Sequence, residues 1–423
     1  MIKKKRAFIL FLLLLAVILS ACSPVNVITA ETDTDKKDEV PLPETEEELF
    51  GIWIATAMNI NFPSRSGLGE DQLKKELDEI VDTASEIGAN ALFFQVRPSG
   101  DAFYDSDIFP VSKYLTGEEG SELPNGFDPL SYLTEKAHQM GIAIHAWVNP
   151  MRASIGVTDT EKLSPNHPAR LNPEYVIKYA DGRLYFDPGL PAVRELIARG
   201  VAEIAEKYPV DGIIFDDYFY PYPIYTENSF GENTLAVFAD SNSYSAFGGS
   251  FRSVGDYRRD SVNQMVKACY DAVKGVREDC LFGVAPFGIW KNNDGSNGGS
   301  NTRGLSSYYD IYCDPLAWVD GGYIDYLAPQ IYWETDNQRA SFIELADWWS
   351  HALADSGTDL YISYGAYRYE DDWPSPSGEI TSQIYLAREK ENYHGGICYG
   401  YPQIKNNVNG LADELKILFS KEN

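Results

Sequence analysis

Two carboxylates stand side by side at Asp216 and Asp217, in the stretch VDGIIFDDYFYP (210–221). An apolar run ends on them, and aromatics and prolines follow. Two carboxyl groups this close cannot both ionise cheaply, so one pKa rises and that group holds a proton near neutral pH. A proton donor beside an anion is the equipment of general acid–base chemistry. On a regular strand, neighbours point to opposite faces. Both carboxylates reach one ligand only where the strand ends or bulges, and Tyr-Phe-Tyr-Pro predicts an ending. A structural role competes: Asp217 capping the next loop, and Asp216 paired with Arg97.

Other apolar runs also turn polar at their C-terminal ends. Period-2 alternation puts Phe93, Gln95 and Arg97 on one face, His145, Trp147 and Asn149 on another, and Gln330, Tyr332 and Glu334 on a third. The predicted site therefore holds carboxylates (Asp216, Asp217, Glu334), amide and imidazole groups (Gln95, His145, Asn149, Gln330) and one cation, Arg97. Aromatic rings surround it: Trp53, Trp147, Tyr218, Tyr220, Trp290, Tyr332 and Trp333. Amides and acids bond hydroxyls, and rings offer a flat apolar face to the C–H face of a sugar. This set suits a polysaccharide. No GxSxG elbow, P-loop or HExxH spacing is present, and no Cys/His cluster forms a zinc pattern. Neither a metal nor a cofactor is expected.

The elements that would position these residues repeat in order. From Gly51 onward, short β-rich runs at 51–59, 90–98, 142–150, 210–218, 280–288, 324–333, 359–367 and 396–402 are each followed by a helical run. In 70–88, for example, Leu73, Leu77, Ile80, Ala84 and Ile87 share one helical face. A weak helix is expected within 305–320. Eight such units predict an α/β fold, a (β/α)8 (TIM) barrel over residues 50–423. A doubly wound open sheet is the alternative. Long loops at 99–127, 151–190, 219–255 and 289–305 follow strands, so they gather on the C-terminal face, where such barrels build their sites.

The first residues are of another kind. Lys3, Lys4, Lys5 and Arg6 precede an apolar run from Phe8 to Leu19, the pattern of a secretory signal over 1–21. Its end, Leu19-Ser20-Ala21-Cys22, resembles the bacterial lipobox, with Cys22 as the lipidated residue. Residues 22–49 are acidic and punctuated by proline, and are expected to form a disordered tether. The chain would then be exported and anchored by lipid alone, to the outer face of the cell membrane or to an outer membrane. The formal charge of −28 repels phosphate backbones, so nucleic acid is not an expected partner. Cys269, Cys280, Cys313 and Cys398 are expected to be buried free thiols, and the protein a monomer.

The ordered motifs GIWIAT, FFQVRPSGDAFYDS, YLTG with GFDPL, HAWVNPMR, FDPGLPAVRE, VDGIIFDDYFYP and APQIYW resemble glycosyl-hydrolase-like family 10 of bacterial exported proteins. The resemblance spans nearly all of 50–405. It implies a barrel with glycosidase activity and a cell-wall glycan as substrate, particularly peptidoglycan strands lacking stem peptides. A more distant similarity is to family 18 chitinases, whose fourth strand reads DGxDxDxE. Asp211, Gly212 and Asp216 match it, while Ile214 replaces the middle Asp and Tyr218 stands where the acid Glu would be. Glycoside hydrolysis usually needs two carboxyls, one to protonate the leaving oxygen and one as nucleophile or base, and a substrate N-acetyl group can replace the enzyme nucleophile. Asp216 and Asp217 are the expected pair, with Glu334 as the alternative partner and Arg97 and Tyr332 orienting the substrate. The missing Glu at 218 keeps a second class open, a glycan-binding lipoprotein without catalysis.

Overall fold

Eight apolar runs become eight parallel strands. They are β1 (Leu49–Ile54), β2 (Ala91–Arg97), β3 (Ala143–Val148), β4 (Gly212–Phe215), β5 (Leu281–Val284), β6 in two pieces (Tyr326–Leu327 and Gln330–Ile331), β7 (Asp359–Tyr364) and β8 (Tyr393–Tyr399). Each strand pairs with the next in parallel, and β8 pairs back onto β1. The sheet is closed, and helices surround it: a (β/α)8 barrel. The structure is a computed structural model that describes residues 47–419, except 228–230 and 371–376. The expected signal segment, Cys22 and residues 22–46 of the expected tether lie outside the described residues.

The tether was expected to run to residue 49, but β1 already begins at Leu49. Glu48 takes an ion pair from Arg388 at 2.7 Å, so the barrel claims residues 48 and 49. The helices follow their apolar spacing. Glu70–Glu86 buries Leu73, Leu77, Ile80, Val81 and Ala84 on one face. Pro129–Gln139 starts on Asp128, whose carboxylate accepts from the backbone N–H groups of Leu130 and Ser131, as helix starts require. The weak helix expected within 305–320 is two short ones, Ser307–Asp310 and Pro315–Gly321.

Strand alternation divides the core in two. Trp53, Phe93, Trp147, Ile214, Tyr326, Tyr361 and Ile397 fill the barrel interior. Ile52, Leu92, Phe94, Ile144, Ile213 and Phe215 face the helices. Each fully buried large apolar side chain contributes about 1.5–3 kcal/mol, so the register of every strand is firmly set. Gly212 is required by a close approach: a Cβ there would lie 2.4 Å from Nδ1 of His145. Cys269, Cys280, Cys313 and Cys398 are buried free thiols. The loop after β3 carries a three-stranded antiparallel sheet, Arg152–Ser154, Leu184–Phe186 and Val176–Lys178.

Candidate active site

β4 ends at Phe215. Ile214 points into the barrel and Phe215 out, so a continued strand would turn Asp216 in and Asp217 out. Because the strand stops, both carboxylates line one cavity at the barrel mouth. They are 4% and 2% exposed. Oδ2 of Asp216 accepts two donors from the β3 end, Nε1 of Trp147 at 3.0 Å and Nδ2 of Asn149 at 3.1 Å. Oδ1 has only a long 3.4 Å approach from the Tyr218 backbone N–H. Asn149 is itself fixed, since its Oδ1 accepts from the Arg152 backbone N–H at 3.0 Å. Asp217 accepts from the Tyr222 hydroxyl, and Gln330 also hydrogen-bonds it.

These surroundings separate the two acids. Burial pushes the Asp216 carboxyl from 3.8 up to about 7, and the neighbouring charge of Asp217 adds to the rise. Arg152, Trp147 and the Tyr218 N–H oppose it. Burial also raises Asp217, against the hydrogen bonds of Tyr222 and Gln330 and the charge of Arg152. Asp217 thus ionises first and holds the proton on Asp216, and Oδ1 is the oxygen left to carry it.

The cavity has a volume of about 210 Å³. Trp53, Trp147, Tyr218, Tyr222, Gln330, Tyr332, Tyr367 and Tyr399 complete its walls. Tyr332 stacks on Tyr399 at 6.0 Å, and Tyr367 meets both edge-on. Trp53 packs edge-on to Trp147 at 4.9 Å. Such a set presents flat rings and a few polar groups to a ligand, as sugar sites do. Among the described residues no group of three or more His, Cys, Asp or Glu converges, so no metal ligands can be assigned.

Of the residues expected from sequence, Asp216, Asp217, Trp147, Asn149, Tyr218, Gln330 and Tyr332 come together here. Gln95 lines a neighbouring cavity, where its Oε1 accepts from the Thr56 and Ala57 N–H groups and fixes the turn after β1. Five expectations are corrected. Arg97 does not reach the mouth: the register of β2 against β3 shifts between Gln95 and Arg97, and this turns its side chain outward. There it lies fully buried over Phe109 at 3.5 Å, and Gly200 makes room for it. His145 faces inward but one layer too deep, bonded to the Tyr326 hydroxyl at 2.8 Å and stacked on Phe93. Burial lowers its pKa to about 4, so the ring is neutral. Trp290 donates to Asp314 at 2.9 Å and stacks on Trp348. Trp333 packs edge-on to Phe287. Glu334 accepts from Nδ2 of Asn337 at 2.8 Å and closes a turn.

The model of the family described as Glycosyl hydrolase-like 10 matches residues 48–373. The chain belongs to the glycosyl hydrolase-like 10 family. It is similar to the glycosyl hydrolase YngK of Bacillus subtilis, 37% identical over 385 residues that cover 89% of this chain and 73% of that protein. It is also similar to the glycosyl hydrolase DigH of Escherichia coli K12, 32% identical over 417 residues, 92% and 91% of the two chains. Among solved structures, the glycoside hydrolase domain of PgaB from Bordetella bronchiseptica aligns with a TM-score of 0.54 at 13% identity, over 89% of this chain and 100% of that one. That likeness bears on the barrel fold.

In this glycosyl hydrolase-like 10 protein, Asp211 of the chitinase-like pattern is not in the site. Its carboxylate accepts from the Ile144 N–H at 2.7 Å and meets Nε2 of His138 at 2.8 Å, tying β3 to the start of β4. Sequence reasoning missed Tyr222, Tyr367, Tyr399, Arg152 and Arg183 as site residues. Tyr399 shares strand parity with the inward Ile397 and was readable. Tyr367 follows the end of β7, and Tyr222 and Arg183 lie on loops, where no periodicity marks a face.

Proposed function

We propose that this chain is a glycoside hydrolase acting on cell-wall glycan, namely peptidoglycan strands freed of their stem peptides, with Asp216 as proton donor. The observation that carries the reading is the environment of Asp216. It is a buried acid held protonated near neutral pH, at the meeting point of two cavities. A glycan lying across it would place the glycosidic oxygen against Oδ1. Protonation there helps the leaving group depart, worth typically 10²–10⁴-fold. The Trp147 and Asn149 donors and the charge of Arg152 then stabilise the carboxylate left behind. Asp217, ionised, is the second carboxylate that the reaction needs, facing the positive charge that develops on the sugar. Where the sugar carries an N-acetyl group, its carbonyl can serve as nucleophile.

The location belongs to the same proposal. The basic start, the apolar run and Leu-Ser-Ala-Cys support an exported protein held to a membrane by lipid on Cys22, beside its polymer. The activity is tested with purified peptide-free strands and a count of new reducing ends. Asp216→Asn and Asp217→Asn should each lower the rate by about two orders of magnitude or more. Full activity in both variants would overturn the assignment. Retention of the wild-type protein on the strands without any new ends would make it a glycan binder instead.

A further inference from the structure

The two cavities that meet at Asp216 differ in charge. The tyrosine-walled one holds both carboxylates and no cation. The other, of about 190 Å³, shares Trp147, Asp216, Tyr218 and Tyr399 with it but is lined by Arg152 and Arg183. We propose that this second cavity is the subsite for a sugar bearing a free carboxylate, received by Arg152 and Arg183. The proposal rests on the reading of the chain as a glycan hydrolase.

The fold brings the two arginines together on purpose-built elements. Arg152 opens the loop strand Arg152–Ser154, and Arg183 immediately precedes the strand Leu184–Phe186. These strands are antiparallel, with Ser154 opposite Leu184 and Arg152 opposite Tyr185. Two residues far apart in sequence therefore reach one wall. Arg152 makes no ion pair among the described residues. Its guanidinium lies over the Tyr218 ring at 4.4 Å, and its Nε is buried without a hydrogen-bond partner. A buried donor with no acceptor calls for one from a ligand. Arg183 is 45% exposed and lends one nitrogen to Asp181 at 3.2 Å, a carboxylate that it shares with the Tyr185 hydroxyl. In a chain of formal charge −28, a wall with two guanidinium groups runs against the general field. Planar forks of this kind match carboxylates.

The same chemistry would favour peptide-free strands over peptide-bearing ones. The lactyl ether arm of a muramic-type sugar ends in a carboxylate when no peptide is attached, and in a neutral amide when one is. A uronate ring carries a comparable carboxylate. In a strand that alternates acidic and neutral sugars, seating the acidic one in this cavity puts the neutral one in the tyrosine-walled cavity. Only one of the two alternating linkages then lies against Asp216, so every new reducing end should carry the same sugar.

Three oligosaccharide probes test this on the full chain. One alternates N-acetylglucosamine and N-acetylmuramic acid with free lactyl carboxyls, one is the same chain with those carboxyls as methyl amides, and one carries glucuronate instead. Dissociation constants are measured by calorimetry on an Asp216→Asn background, and kcat/KM with Asp216 intact. The free acid should bind and react roughly tenfold or more better than its amide, the scale of one charge-assisted hydrogen bond. Arg183→Gln should bring that ratio close to one. Arg152→Lys, which keeps the charge and loses the fork, should reduce it. A preference seen only with the glucuronate probe assigns the ring carboxylate rather than the lactyl arm. Equal treatment of acid and amide by the unaltered chain with no preference for the glucuronate probe either, or an unchanged ratio in Arg183→Gln, overturns the subsite, as do mixed reducing ends. If no probe is cleaved, the hydrolase reading fails by itself, and the acid-to-amide ratio of dissociation constants still decides the subsite.

Discussion

The acid at the centre of the site should weaken the fold that holds it, and the effect should switch with pH. Asp216 titrates near 7 in the native protein against an ordinary value of 3.8. The native state therefore binds a proton that the unfolded chain has released throughout the window between these values. Stability must fall as pH rises through that window, and the loss is complete above about pH 7. At 1.36 kcal/mol for each pH unit, the full cost is roughly 4 kcal/mol. Asp216→Asn cannot ionise and keeps an oxygen for the Trp147 and Asn149 donors. Its stability relative to the unaltered protein should rise from near zero at pH 4 to several kcal/mol at pH 8, while activity is lost. Urea denaturation of both proteins at pH 4, 6 and 8 measures the difference, and titrating groups too far away to feel the Asp216 charge cancel in the comparison. A difference that stays flat with pH, or that favours the aspartate at pH 8, would refute the account of a buried acid kept protonated by its surroundings.

Other consequences follow from the same geometry. Trp147→Phe removes a donor that favours the ionised form of Asp216. The alkaline limb of kcat/KM should move up by about one pH unit, and a downward move would contradict the hydrogen bond. Glu334→Gln and Arg97→Met alter residues that lie outside the cavity walls. Both should keep kcat/KM within about twofold of the unaltered chain, whereas a large loss in either would restore it to the site. Gly212→Ala places a methyl 2.4 Å from the His145 ring and should destabilise the barrel by about 1–3 kcal/mol, read as a lower midpoint in urea.

The barrel was legible because parallel strands buried on both faces read as apolar runs, and most of the eight runs are followed by a periodic helix, the short pair after β5 being the weak case. Period-2 parity then found Trp147, Asn149, Gln330 and Tyr332, since it reports which face a residue takes. It does not report depth: His145 has the right face and lies one layer below the mouth. It also fails wherever register slips, and the shift between Gln95 and Arg97 turned the expected cation of the site into a buried outer residue. The positive charge instead comes from Arg152 and Arg183, brought together by a loop sheet whose pairing no strand pattern announces. The paired carboxylates show the same division. Their adjacency is local and visible, and the end of β4 at Phe215 frees Asp217 from the outward face that parity would give it. What makes one of them an acid is not local. Trp147 and Asn149 come from β3, Gln330 from β6, and the burial from a ring of tyrosines on three further segments. A pKa is set by everything within a few ångströms, so the sequence names the pair, and only the closed barrel assigns the proton to Asp216.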